Sequence, residues 1–168
     1  MAAATPALAC LEALGIAHAV HGYTHDPRST AFGDEAVAAL GVDPDRFFKT
    51  LVVEVERTAP APGRRPVLAC GVVPVSGTLD LRAFAARTGS NRAAMAPLPA
   101  VERSTGYIRG AISPIGQKTS LETLVDESAV LFDTVFVSAG QRGLALELAP
   151  DDLLRAAAAR YAQIADPG

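Results

Sequence analysis

Lysine is nearly missing from this 168-residue chain: Lys49 and Lys118 stand beside thirteen arginines. Generic surface cations have drifted to arginine, so a surviving lysine either marks a place that needs a compact ammonium or persists by chance. Its neighbours have to decide between the two. Basic runs are also missing, the longest being Arg64-Arg65, and the formal net charge is -3. A self-sufficient nucleic-acid binder displays a basic face and gains affinity by releasing counterions. The composition therefore excludes DNA binding as an expectation. Any RNA would be held weakly, at one end, or with the help of a partner.

Only two cysteines occur, Cys10 in an apolar helical pattern and Cys70 in a strand-like run. Both read as small core residues, and no disulfide framework is expected. No apolar run reaches membrane-spanning length, and Glu12 interrupts any signal-peptide pattern. The expectation is a cytoplasmic, soluble protein with no membrane association. Nearly half the residues are apolar and a fifth are charged, which predicts one globular domain over residues 1–168.

The punctuation of the chain is clear. Thr5-Pro6 caps and starts a helix whose stripe is Leu8, Leu11 and Leu14, with Gly15 as its left-handed stop. Residues 16–23 alternate as a strand, 24–32 form a turn-rich loop, and 34–40 form a short helix closed by Gly41. Asp43-Pro44 makes a turn that ends at Phe47-Phe48. Residues 49–56 and 67–73 read as strands joined by a Pro- and Arg-rich hairpin loop at 57–66. Helices are expected at 79–88 and 98–104, and from Pro150 onward. Extended segments are expected at 107–112, 130–138 and 144–148. The order predicts an α/β domain with a mixed, mostly antiparallel sheet, curled toward a barrel and flanked by helices.

Common catalytic signatures are missing too. The segment from Gly110 to Gly116 contains Ser113 but is no Gly-x-Ser-x-Gly elbow, and it lacks the Lys-Ser/Thr ending of a phosphate loop. His18, His21 and His25 lie close together, but strand alternation points His18 and His21 to opposite faces. No metal site is expected, and no cofactor. Three glycine-bearing loops remain: Phe32-Gly33-Asp34-Glu35, Gly110 to Lys118, and Ser138 to Gly143. Such loops let backbone approach a ligand closely, or serve ordinary turns. Lys49 follows two phenylalanines at the start of a strand, a position open to a functional lysine or to a snorkelling edge residue.

At these residues the chain resembles the YbaK/EbsC family of bacterial Cys-tRNA(Pro) deacylases, related to the editing domain of some prolyl-tRNA synthetases. The resemblance is carried by Tyr23-Thr24-His25-Asp26-Pro27, Phe32-Gly33-Asp34-Glu35-Ala36 and Phe47-Phe48-Lys49-Thr50-Leu51. It continues in Ser104-Thr105-Gly106-Tyr107, in the loop Gly110-Ala111-Ile112-Ser113-Pro114 with Gly116-Gln117-Lys118, and in Ser138-Ala139-Gly140-Gln141-Arg142-Gly143. It implies a YbaK-like editing fold that deacylates mischarged tRNA, with Lys49 as the catalytic residue. It also implies substrate binding by Tyr23, Phe32, Thr50, Gly110, Ala111, Ile112, Ser113, Pro114, Gly140 and Arg142, with His25 and Lys118 as further candidates. The implied partners are the acceptor end of tRNA and prolyl-tRNA synthetase. For cysteine, the resemblance implies attack by the substrate's own thiol, which suits the missing serine–histidine pair. Ala145 departs from the pattern, standing where some relatives carry a polar or acidic residue. The competing readings are a non-catalytic module binding an aminoacyl group, a nucleotide or a synthetase, and a related Ala-tRNA(Pro) deacylase or small-ester hydrolase.

Overall fold

Val52 and Val53 are neighbours in sequence and both are buried. A strand does this only when a layer packs on each of its faces. The computed structural model describes residues 4–57 and 66–166 and shows those layers. In chain order they are α1 (Pro6–Leu14), β1 (Ala19–Gly22), α2 (Phe32–Leu40), β2 (Phe48–Arg57), β3 (Val67–Pro74), β4 (Thr78–Leu79), α3 (Leu81–Arg87) and β5 (Ser90–Met95). Then follow α4 (Leu98–Thr105), β6 (Glu122–Asp126), β7 (Val135–Gln141), β8 (Leu144–Leu148), α5 (Pro150–Ala157), β9 (Ala159–Ala162) and β10 (Ala165–Asp166).

Five strands form one mixed sheet in the order β5-β2-β3-β6-β9, and three form a second, β1-β8-β7. β2 runs antiparallel to β3 and β5, whereas β3, β6 and β9 run parallel. The mixed α/β class is as expected. Among the described residues the strands remain as separate sheets and do not close into a barrel. One bridge, Phe47 to Phe136, links the large sheet to the small one.

Val72 and Val125 on one face of the large sheet pack with Leu11 of α1, Leu146 of β8 and Leu153 of α5. Val53, Val55 and Val73 on the other face pack with Phe84 of α3 and Ile164. Burying a side chain of this size contributes about 1.5–3 kcal/mol, so the two-sided centre of β2 and β3 is the strongest anchor for what is attached to it.

Helix α1 starts as expected. Thr5 Oγ1 accepts from Leu8 N–H at 3.2 Å and donates to Ala139 O at 2.6 Å, tying the helix start to β7. Its buried residues are Ala7, Leu8 and Leu11, while Leu14 is 43% exposed and does not belong to the stripe. Gly15 and Gly41 close α1 and α2 in the left-handed conformation.

Other boundaries differ for local reasons. α2 begins at Phe32, two residues before the expected start. Leu79 pairs with Ala165, so α3 waits for Asp80, whose carboxylate accepts from Ala83 N–H. Residues 107–112, expected as extended, are a loop, because Tyr107 is drawn inward as a brace rather than paired in a ladder. Val130 and Leu131 belong to a 3-10 turn, Glu127–Leu131, capped by Asp126, and the strand begins only at Val135. β5, β6 and β9 had no expectation. β5 is polar, Ser-Asn-Arg-Ala-Ala-Met, and exists because β2 offers it an edge. The expected hairpin loop at 57–66 lies almost wholly outside the described residues.

The small sheet is pinned to Arg46, the residue that leads into Phe47. Glu147 accepts from Arg46 Nη2 at 2.9 Å and from Thr134 Oγ1 at 2.5 Å, and meets His21 Nε2 at 2.8 Å. Arg46 also donates to Thr134, through Nε to its carbonyl at 2.7 Å and through Nη2 to its hydroxyl. The Thr134 hydroxyl, then His21 and Arg46, hold the Glu147 carboxyl below its ordinary value. A depressed carboxylate stabilises the fold above its unfolded pKa of about 4.3 and loses that contribution as pH falls through the lower folded value. Glu147→Gln is therefore expected to lower the urea midpoint clearly at pH 7, with the gap from the parent narrowing in acid. A gap independent of pH would contradict the network's role.

Candidate active site

The outer edge of β2 is interrupted. Its inner edge pairs with β3 from Phe48 to Val55. On the outer edge Phe136 N–H donates to Arg46 O at 3.0 Å, Ala96 N–H donates to Val52 O at 3.1 Å, and β5 pairs from Val53 onward. Between those points no strand pairs with this edge among the described residues. The parallel bridge of Phe47 to Phe136 engages the Phe48 amide, so backbone alternation leaves the amide of Thr50 facing the gap.

A cavity of about 280 Å3 opens there. Phe47, Phe48, Lys49, Thr50 and Leu51 form one wall, and Phe32, Gly33 and Ala36 at the start of α2 form another. Tyr23, Ser138 and the loop residues Arg109, Gly110 and Ile112 complete it. No histidine or carboxylate among the described residues lines it. Lys49 sits opposite Val73 in the ladder, half-buried, and its side chain has no hydrogen bond or ion pair among the described residues. Thr50 Oγ1 is buried without a partner. Burial raises the Tyr23 phenol above its ordinary value, keeping it a neutral hydroxyl.

The loop wall is braced from behind. The buried Tyr107 hydroxyl donates to Ile115 O at 2.6 Å, and burial pushes its pKa up to about 12. Gln117 Nε2 donates to Ser113 O at 3.0 Å, and Ile115 N–H donates to Ser113 Oγ at 3.3 Å. Ala111 N–H is engaged with Ile108 O at 2.9 Å, whereas Gly110 and Ile112 N–H have no partner among the described residues. Gly110 has φ 83°, and a Cβ there would lie 2.5 Å from the Phe32 ring. Only glycine lets this backbone rest on that ring.

Phe32 is a hub. His25 lies 5.8 Å from it and is held by Glu35 at 2.6 Å, while Arg109 and Arg142 both lie over its ring. His25 Nδ1 and the Asp26 N–H hold the Glu35 carboxyl below its ordinary value.

Of the residues singled out in the sequence, Tyr23, Phe32, Lys49, Thr50, Gly110 and Ile112 meet in the cavity. Ala111, Ser113 and Pro114 are buried behind it. Gly140 packs against Tyr107, and its N–H donates to Ser138 Oγ at 3.1 Å. Arg142 reaches the site through Phe32, and His25 through Phe32 and Glu35. Lys118 is exposed and tied by its backbone to Thr105 at the end of α4, outside the cavity. Ala145 is fully buried with Ala36, Phe47 and Phe136, behind the wall that Ala36 and Phe47 form. It presents no polar group. The histidines separate: His18 meets Ile16 O, His21 meets Glu147, and His25 meets Glu35. Sequence reasoning missed Arg109, although its place directly before Gly110 was the available signal.

A larger cavity, about 560 Å3, lies elsewhere, among Asp45, Pro74, Glu127, Val130 and Leu131. Its acidic and apolar lining suits no anion. Cys70 is no nucleophile, since burial pushes its thiol up to about 11.

Residues 25–156 match the aminoacyl-tRNA editing domain family. The chain is 38% identical over 131 residues, 77% of this chain and 75% of the other, to the Enterococcus faecalis (strain ATCC 700802 / V583) protein named "Putative Cys-tRNA(Pro)/Cys-tRNA(Cys) deacylase EbsC". Two solved structures share the fold. "Crystal structure of hypothetical protein APE2540" superposes with a TM-score of 0.81 at 22% identity, covering 96% of this chain and 100% of that one. "Crystal structure of a putative trans-editing enzyme for prolyl tRNA synthetase" gives a TM-score of 0.79 at 23% identity, covering 98% and 99%.

Gly110→Ala is expected to destabilise the protein by roughly 1–3 kcal/mol, through positive φ and displacement of Phe32. Urea unfolding measures this, and a midpoint equal to the parent's would contradict the packing described.

Proposed function

The chain belongs to the aminoacyl-tRNA editing domain family, and we propose that it hydrolyses cysteine from mischarged tRNA, Cys-tRNA(Pro) in the first place, at the Lys49 cavity. Lys49 carries the reading. Among the described residues its side chain is unpaired, and no histidine or carboxylate lines the cavity it faces. An aminoacyl ester is already activated, so charge and positioning suffice where a side-chain nucleophile and base are missing.

In this reading the substrate supplies its own nucleophile. The cysteine thiol gives its proton to solvent, and the thiolate attacks the ester carbonyl carbon. A C–S bond forms, and charge develops on the carbonyl oxygen. Lys49 and the free N–H groups of Gly110 and Ile112 are the donors available to it. The C–O bond to ribose then breaks, the ribose oxygen takes a proton, and water opens the strained cyclic thioester to free cysteine. Substrate assistance explains why Ser113 is buried and Cys70 kept as a neutral thiol without loss of chemistry. It also selects cysteine over alanine, which has no thiol. The name of the Enterococcus faecalis relative supports the same amino acid.

The net charge of -3 favours contact with the acceptor end alone, with prolyl-tRNA synthetase as the partner that presents the tRNA. A pocket that admits a small apolar side chain discriminates by only a few kcal/mol, which is why the synthetase would need a second site.

A panel of Cys-tRNA(Pro), Cys-tRNA(Cys), Ala-tRNA(Pro) and Pro-tRNA(Pro) tests the reading. The cysteinyl esters are expected to be deacylated and the alanyl and prolyl esters spared; equal rates on Ala-tRNA(Pro) would contradict thiol assistance. Lys49→Ala is expected to lower turnover on Cys-tRNA(Pro) by roughly 100-fold or more, as loss of a transition-state donor does, with an unchanged circular dichroism spectrum. Lys49→Arg keeps the charge and changes its shape, and a loss of about tenfold or more is expected. Full activity in Lys49→Ala would remove Lys49 from the mechanism, and full activity in Lys49→Arg would contradict the need for a compact ammonium there.

A further inference from the structure

Two guanidinium groups are parked on one aromatic ring at the cavity mouth. The Arg142 guanidinium lies 5.1 Å from the Phe32 centroid and that of Arg109 lies 5.7 Å from it. Arg142 Nε donates to Arg109 O at 2.9 Å, so the two arginines are coupled directly. Arg109 and Phe32 both line the Lys49 cavity.

Neither side chain has a carboxylate partner among the described residues. The nearby acids are engaged otherwise: Glu102 Oε2 accepts from the backbone N–H of Arg109 at 3.1 Å, and Glu35 holds His25. Like charges brought together without a counterion repel, and an exposed cation–π contact returns little in compensation. Stacking on the ring leaves most of the fork of N–H donors free, which is the arrangement that bidentate recognition of phosphate needs.

We propose that Arg109 and Arg142 form a phosphate clamp for the single-stranded acceptor end of tRNA, gripping the backbone just outside the Lys49 cavity. The identity of the RNA rests on the reading of that cavity as the aminoacyl-ester site. Arg142 was implied by family resemblance only as a substrate contact; the structure pairs it with Arg109 and assigns both to the backbone. The ring of Phe32 fixes the distance between the grip and the reacting ester. A protein of net charge -3 thereby holds RNA through a local cluster instead of a basic face. The clamp reads charge, not base identity.

The test uses the intact chain and a fluorescent single-stranded RNA ending in CCA with a free 3′-hydroxyl. Anisotropy is followed as sodium chloride rises, for the parent, Arg109→Gln, Arg142→Gln and the double variant. Each lost phosphate contact is expected to lower the slope of log affinity against log salt by about 0.7. Affinity is expected to fall roughly tenfold per arginine at low salt. Arg109→Lys keeps the charge and is expected to retain the slope, which a purely structural role would not produce. An RNA with neutral methylphosphonates in its last two linkages is expected to bind the parent and the double variant alike. Melting curves check that each variant is folded. Slopes unchanged in the glutamine variants would overturn the clamp, as would loss of synthetase binding in place of RNA binding. A parent protein that shows the arginine-dependent slope but, in a separate deacylation assay, releases no cysteine from Cys-tRNA(Pro) would leave the clamp standing and overturn the hydrolase reading instead.

Discussion

The site depends on one interruption in hydrogen bonding. β2 is a two-sided central strand whose outer edge is occupied by β7 through the Phe47–Phe136 bridge and by Ala96 and β5 from Val52 onward, with no strand paired between them among the described residues. A continuous ladder would have filled the space. The gap is held open because both ends are fixed: one by the Arg46–Thr134–Glu147 network and the Phe47–Phe136 stack, the other by the buried valines of the second core. Lys49 is carried on a rigid element but faces an opening, so its side chain combines a fixed position with access to the cavity.

The opposite wall answers the same requirement with a loop. Its conformation is fixed by buried partners, the Tyr107 hydroxyl and the Gln117 amide, so that Gly110 and Ile112 present free N–H groups without local disorder. Thr5 contributes at a distance, because its hydroxyl joins the start of α1 to Ala139, the neighbour of Gly140 that packs on Tyr107. Brace, loop and strand are thus parts of one packed unit. Preorganised donors of this kind act most strongly where water is scarce, and the buried Phe47 and Phe48 keep water from one side of the cavity.

Much of this was legible in the chain. Caps and stops at Thr5, Gly15 and Gly41 are local chemistry, and local chemistry survives folding. Lys49 stood out because it is one of only two lysines beside thirteen arginines, and its neighbours Phe47 and Phe48 do form the wall beside it. The second lysine, Lys118, lies outside the cavity, so scarcity alone did not rank the two. What failed was whatever depends on partners far along the chain. β5 has no strand-like composition and is defined by the edge of β2. Residues 107–112 have strand-like composition, yet Tyr107 is claimed by Ile115 and the segment stays a loop. Leu14 has the right spacing for the core stripe but no layer above it. Arg109 went unnoticed because its place in the cavity wall depends on Phe32, 77 residues earlier.

The larger acidic and apolar cavity gives the central claim a real competitor, since size alone would favour it. A titration with the amide-linked, non-hydrolysable analogue of 3′-cysteinyl-adenosine, followed by backbone amide NMR, decides between them. The account predicts shifts at Lys49, Thr50, Gly110 and Ile112, with Glu127, Val130 and Leu131 undisturbed. Shifts confined to the latter three would contradict it.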